Sequence, residues 1–108
     1  MFASEKFEEE CNSEKLLKKR YGVDRAKRLR KRLDDLRAAG NLEEMRNLPG
    51  RCHELKGDRA GQLALDLDHP YRLIFEPAHD PVPAKPDGGL DWTNVTAILV
   101  VGVEDYHG

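Results

Sequence analysis

Residues 62–76 read "QLALDLD", "HP" and "YRLIFE" in succession, and this stretch decides the fold. Leu63, Leu65 and Leu67 fall on one side of a period-two pattern, with Gln62, Ala64, Asp66 and Asp68 on the other. That alternation belongs to a strand with one face against a core. His69-Pro70 supplies the turn, and "YRLIFE" returns as the partner strand with Tyr71, Leu73 and Phe75 on one side and Arg72, Ile74 and Glu76 on the other. A hairpin of this kind needs helices to cover its apolar face, and the residues before it supply them.

The first half of the chain has helical spacing. Phe7 and Cys11, then Leu17 and Tyr21, stand four apart, and Gly22 follows as a stop. A second helix is expected from Val23 to Ala39, with Val23, Ala26, Leu29, Leu33 and Leu36 as its apolar stripe and Gly40 at its end. Asn41 with Glu44 forms a capping box for a short third helix whose Leu42, Met45 and Leu48 face inward, before Pro49-Gly50 breaks it. The two long helices are expected to form a hairpin lying on the sheet. Beyond "YRLIFE", residues 77–91 hold four of the six prolines and read as a long loop. Residues 95–103, "VTAILVVGV", are apolar on both faces and are expected to be an interior strand. The sum is one α+β domain over residues 1–108, a helical hairpin and a short third helix on a small, mostly antiparallel sheet.

The totals narrow the functional classes. A chain of 108 residues, 35% charged and 39% hydrophobic, supports a single modest core. Its apolar runs fall short of the roughly 18 residues of a membrane span, and the N-terminus lacks a basic-then-apolar leader, so a cytoplasmic protein with no membrane partner is expected. Two cysteines, Cys11 and Cys52, are too few for a disulfide framework and are expected to be reduced, semi-buried thiols. Cys52-His53 is not a metal-binding pair, because neighbours in an extended segment point to opposite sides and no second ligand pair stands at a zinc-like spacing. No metal or cofactor is expected.

The net charge of −2 conceals a split. Residues 1–40 carry 12 Lys/Arg against 8 Asp/Glu, whereas residues 41–108 carry 6 against 12. The basic block, which includes Lys18, Lys19, Arg28 and Arg32, is either a solvated helix face relieved by Arg30–Asp34 and Lys31–Asp35 pairs or a surface that follows a polyanion backbone. A second polar cluster, "GRCHELKGDRAGQ", places Arg51, His53, Lys56 and Arg59 in a loop-like segment. Arg72 sits in mid-strand, which calls for a task or for a partner such as Asp66 or Glu76. The last strand leads into "DYH", with Asp105 and His107 on one side and Tyr106 on the other if alternation persists; by themselves these residues are either a solvated tail or the end of a site. An imidazole beside a carboxylate, a phenol and several cations suits phosphodiester cleavage: one group takes the 2′-hydroxyl proton, another protonates the leaving 5′-oxygen, and Arg or Lys stabilises charge on phosphorus. His69 reads as a turn residue and His79 as a loop residue. Trp92 packs the returning loop onto the sheet or stacks on a base, with packing the expectation.

Taken together, "LPGRCHELKGDRAGQLALDLDHPYRLIFEP", "NVTAILVVGVEDYH" and the preceding "RAKRLRKRLDDLRAAGNLEEM" resemble the HigB-like toxins of the RelE/ParE superfamily, the toxin halves of type II toxin-antitoxin modules. The resemblance covers nearly the whole chain. It implies a metal-independent endoribonuclease that cleaves mRNA on the ribosome and is silenced by a HigA-type helix-turn-helix antitoxin. Residue by residue, it implies catalytic roles for Asp105, Tyr106 and His107, with His107 as acid or base and His53 sharing catalysis. It implies phosphate contacts for Arg51, Lys56, Arg59 and Arg72, with Arg72 as transition-state stabiliser, and a ribosomal RNA contact for the face holding Lys18, Lys19, Arg28 and Arg32. Two other readings accompany it: a ParE-like gyrase poison, and a non-catalytic module that binds the antitoxin.

Overall fold

A computed structural model describes residues 1–105; Tyr106, His107 and Gly108 lie outside the described residues. Three α-helices, α1 (Glu5–Cys11), α2 (Glu14–Tyr21) and α3 (Val23–Ala38), precede a four-stranded sheet. The strands are β1 (His53–Glu54), β2 (Leu63–Asp66), β3 (Tyr71–Pro77) and β4 (Ile98–Asp105), all antiparallel in the order β1-β2-β3-β4. The α+β class expected from the pattern is the observed architecture.

The helices differ from expectation at their ends. The first helical stretch is two helices, because Ser13 accepts a hydrogen bond from the Leu16 amide and starts α2 afresh, while Ser4 caps α1 through the Phe7 amide. Gly22, at φ +82°, separates α2 from α3. In α3, Ala26, Leu29 and Leu33 are buried as the stripe requires, but Val23 at the first turn is exposed. The Asn41–Glu44 capping box is formed, over a 3-10 helix at Leu42–Asn47 that buries Leu42 and Met45 and leaves Leu48 exposed.

The hairpin presents its two faces as the alternation indicates. Leu63, Leu65, Leu67, Leu73 and Phe75 join Phe7, Leu17, Leu29, Leu33, Met45 and Trp92 in the main core. Ala64 and Ile74 on the opposite face are buried too, because Leu55, from the segment before β2, packs over them with Val101. That segment also forms β1, where His53 pairs with Ala64 and Glu54 with Leu63, so it is a short strand and not a loop throughout. The expected interior strand, β4, is the last named strand of the sheet. Its outer edge is partly paired all the same: Phe2 makes a parallel bridge to Val100, through Ala3 N–H to Val100 O and Val100 N–H to Met1 O, each at 2.8 Å. A register shift lets Gly102 face Ile74 and Val100 face Phe75, which leaves Val101 as an extra residue that fills the smaller cluster. The loop after β3 makes its own turn, with Lys85 N–H on Gly89 O at 2.7 Å and a bridge between Ala84 and Leu90.

Two arginines fasten α3 to the hairpin. Arg25 holds Asp68 through three contacts of 2.9–3.2 Å and stacks on the Tyr71 ring at 3.4 Å. Arg32, 8% exposed, donates from Nε to the Asp66 carbonyl at 3.0 Å. Gly50 makes that approach possible, since a Cβ there would stand 2.7 Å from Arg32 Nε and 3.1 Å from a Leu65 methyl, and its φ of +110° disfavours a side chain in any case. Gly50→Ala is therefore expected to lower the unfolding free energy by about 1–3 kcal/mol, read by urea denaturation; unchanged stability would contradict this packing.

Candidate functional site

The face of the sheet turned away from the helices gathers most of the polar residues singled out by sequence. Pairing puts Asp66, Arg72 and Glu104 in one cross-strand row, since Asp66 opposes Arg72 on β2 and β3 and Arg72 opposes Glu104 on β3 and β4. His53 lies on the same face, opposite Ala64. Arg51 reaches this row from the turn after Pro49, and Arg59 reaches it from the 3-10 turn Gly57–Arg59.

Carboxylates engage these cations. Asp66 Oδ2 accepts from Arg51 Nε at 2.9 Å, and Asp66 Oδ1 lies 3.3 Å from Arg72 Nε, so one carboxylate sits between two guanidiniums. Arg59 meets both oxygens of Glu104 in a fork at 2.7 and 2.6 Å, and its Nε donates to Gln62 Oε1 at 2.8 Å. Gln62 in turn reaches Glu76 at 3.5 Å. The mid-strand Arg72 thus has the Asp66 partner that alternation suggests. The hydrogen bond from Arg59 holds the Glu104 carboxyl below the usual glutamate range, and Arg25 does the same to Asp68.

The His53 ring is fixed by a backbone contact. Its Nδ1 stands 2.7 Å from the Arg51 carbonyl oxygen, which only accepts, so Nδ1 carries the hydrogen. That bond survives in both charge states of the ring. Nε2 is left as the ring nitrogen not engaged by that bond.

Other expected residues fall elsewhere. Asp105 opposes Tyr71, on the alternate side of β4 from Glu104, so the described residues do not bring it onto the His53 face. Tyr106 and His107, the remaining catalytic candidates, lie outside the described residues. Lys56 is exposed at the entrance to the Gly57–Arg59 turn. Lys18, Lys19 and Arg28 are exposed on α2 and α3, along a concave surface of about 860 Å³ that Lys18 and Arg28 help to line. Arg32 departs from that exposed face: it is buried, and its guanidinium is spent on the Asp66 carbonyl. The helix-face ion pairs are also redistributed, with Lys31 on Asp35 at 3.3 Å as expected but Arg30 on Glu14 of α2 at 3.4 Å. Trp92 is in the core, 5% exposed, donates to Glu54 at 3.1 Å and lies under Arg46 at 3.8 Å, which fits the packing role. Sequence alone does not single out Asp66 and Glu104 as site residues; their place in the alternation is visible, but the row they form needs the strand register.

Among the described residues no group of three His, Cys, Asp or Glu is placed to hold a metal ion, and no helix is long and apolar enough to cross a membrane. No known protein family and no curated protein matches the chain.

Both thiols are partly buried and lie outside this face, and burial raises each to about 12. At pH 8 such a thiol is thiolate in only ~10⁻⁴ of molecules, against about a quarter for a free cysteine. Both are therefore expected to react with Ellman's reagent at least about 100-fold more slowly in the native protein than in urea; equal rates would contradict their burial.

The carboxylates give an acid limb to stability. Asp68 and Glu104 ionise more readily when folded, so their stabilisation is complete above their unfolded values and is lost as the pH falls through the folded ones. Urea midpoints are expected to drop as pH is lowered below roughly 4. Asp68→Asn and Glu104→Gln should each flatten that drop, and an unaltered slope in both would show that these pairs do not carry it.

Proposed function

We propose that the chain is an mRNA-cleaving toxin of a type II toxin-antitoxin module, a HigB-like member of the RelE/ParE superfamily. The observation that carries the reading is the gathering of His53, Arg51, Arg59 and Arg72 on one face of the sheet whose last strand runs into "DYH". Sequence resemblance and this spatial gathering are independent supports, because neither the spacing of "CHELKGDR" nor that of "YRLIFE" requires the two to share a face.

The chemistry needs no metal. A base removes the 2′-hydroxyl proton of the nucleotide before the scissile bond, and the oxygen attacks phosphorus. An acid protonates the departing 5′-oxygen, leaving a 2′,3′-cyclic phosphate on one product and a 5′-hydroxyl on the other. His53 Nε2 and His107 are the two candidates for these roles, with Tyr106 as the third proton donor; Asp105, which opposes Tyr71 on the other side of β4, is not a member of the His53 face. Arg72, flanked by Arg51 and Arg59, is the candidate for stabilising the charge that grows on the non-bridging oxygens. The exposed Lys18, Lys19 and Arg28 would meet a larger polyanion such as ribosomal RNA, and a HigA-type antitoxin would silence the toxin.

One observation favours a second reading, a non-catalytic antitoxin-binding module: the guanidiniums that share the sheet face with His53 are engaged by Asp66 and Glu104. Expression separates the two. Under the ribonuclease reading, induction in a bacterial host arrests growth and creates new 5′ ends within reading frames, and His53→Ala or His107→Ala lowers cleavage by about 10²-fold or more. Soluble expression that binds the antitoxin with neither arrest nor new ends would replace it with the module.

A further inference from the structure

We infer that Asp66 and Glu104 are internal counter-ions that occupy the seats of RNA phosphates on the open sheet face and thereby set its affinity. This inference rests on the ribonuclease reading, and it assigns to two carboxylates a role in ligand selection. Arg59 grips both oxygens of Glu104 at 2.7 and 2.6 Å, the fork geometry that a guanidinium also offers to two non-bridging oxygens of a phosphodiester. Asp66 receives Arg51 at 2.9 Å and Arg72 at 3.3 Å, so a single carboxylate draws two guanidiniums together. Both carboxylates are in the row Asp66–Arg72–Glu104, two strand spacings or about 9–10 Å apart along the sheet.

Exposure makes exchange with a ligand feasible. The Asp66 side chain is 33% and the Glu104 side chain 38% accessible, so solvent and ligand reach the oxygens that hold the arginines. Partly exposed pairs of this kind add little to stability, and their larger effect is on the local field. With the carboxylates in place the arginines are close to neutralised, and an incoming phosphate must displace a carboxylate that then repels it. A face built this way binds free polyanions weakly and accepts RNA only where further contacts assist.

Asp66 also allows a clean test. Its main chain carries the structural contacts, N–H to Gly50 O at 2.7 Å and C=O from Arg32 at 3.0 Å, and a carboxamide leaves both intact. The experiment is fluorescence anisotropy of a labelled 2′-O-methyl oligoribonucleotide, which resists cleavage, with the full chain and its Asp66→Asn and Glu104→Gln variants across a salt series. Each variant is expected to tighten binding about three- to tenfold at low salt and to steepen the salt dependence by about 0.7 for each additional phosphate neutralised. Asp58→Asn, which removes the same charge from an exposed position on the neighbouring turn, is expected to change affinity less than twofold. Unchanged or weaker binding in both test variants, or equal tightening by Asp58→Asn, would overturn the inference. Should Asp66→Asn fail to fold by circular dichroism, Glu104→Gln decides alone. Because the oligonucleotide cannot be cut, tightening in a protein that proves unable to cleave mRNA would count against the ribonuclease reading and leave the counter-ion role standing.

Discussion

Asp66 is where four parts of the molecule are tied together. Its amide donates to Gly50, its carbonyl receives the buried Arg32 of α3, and its carboxylate receives Arg51 and Arg72. The constraint is set by Arg32, because a guanidinium taken out of water is costly unless it is hydrogen-bonded. A carbonyl at the end of β2 is what it finds, and only a residue without Cβ at position 50 lets it pass. The register of α3 on the sheet, the turn after Pro49 and the end of β2 are therefore fixed against one another. Arg25, two turns earlier on the same side of α3, repeats the device at the hairpin turn with Asp68 and Tyr71.

The candidate site follows from that arrangement. Once α3 covers the leucine face of β2 and β3, the alternate residues Asp66, Arg72 and Ile74 must look the other way. The segment 51–61 then crosses that second face: Leu55 fills the space over Ala64 and Ile74, and this packing brings His53 on one side and Arg59 on the other towards the charged row. An apolar plug thus organises a polar surface. Without Leu55 in place, nothing in the hairpin itself would carry Arg59 across to Glu104 on β4.

The hairpin and α3 are legible in the sequence because their apolar periods are long and unbroken. Leu63, Leu65 and Leu67 with Leu73 and Phe75 mark the core face, and 26–33 carry a helical stripe, so there local pattern and tertiary burial agree; the burial of Ala64 and Ile74 on the other face does not follow from alternation. The break at Ser13 shows as a six-residue step between Cys11 and Leu17 in an otherwise four-residue spacing, and serine before an acidic residue is a start signal for a new helix. What lies beside β4 is not legible, since apolar residues on both faces do not reveal that the neighbour on its outer edge is the short N-terminal stretch around Phe2. Arg32 groups with its exposed neighbours for a similar reason: it shares their charge, and only the packing of α3 turns it inward. In the candidate site, Arg72 and its Asp66 partner can be read from alternation, whereas Arg59 with Glu104 joins residues 45 apart across strands whose register no sequence period specifies.

The acidity of the second half of the chain bears on the site through position more than through total. Residues 41–108 hold twice as many acids as bases, which by bulk charge would turn a polyanion away. Yet two of those acids, Asp66 and Glu104, lie within hydrogen-bonding distance of three arginines and hold them side by side in one row. At separations near 3 Å such pairs are felt strongly, while charges beyond a Debye length of about 8–10 Å are screened. Under the counter-ion proposal, the charge that this face offers a polyanion depends on which partner its guanidiniums hold.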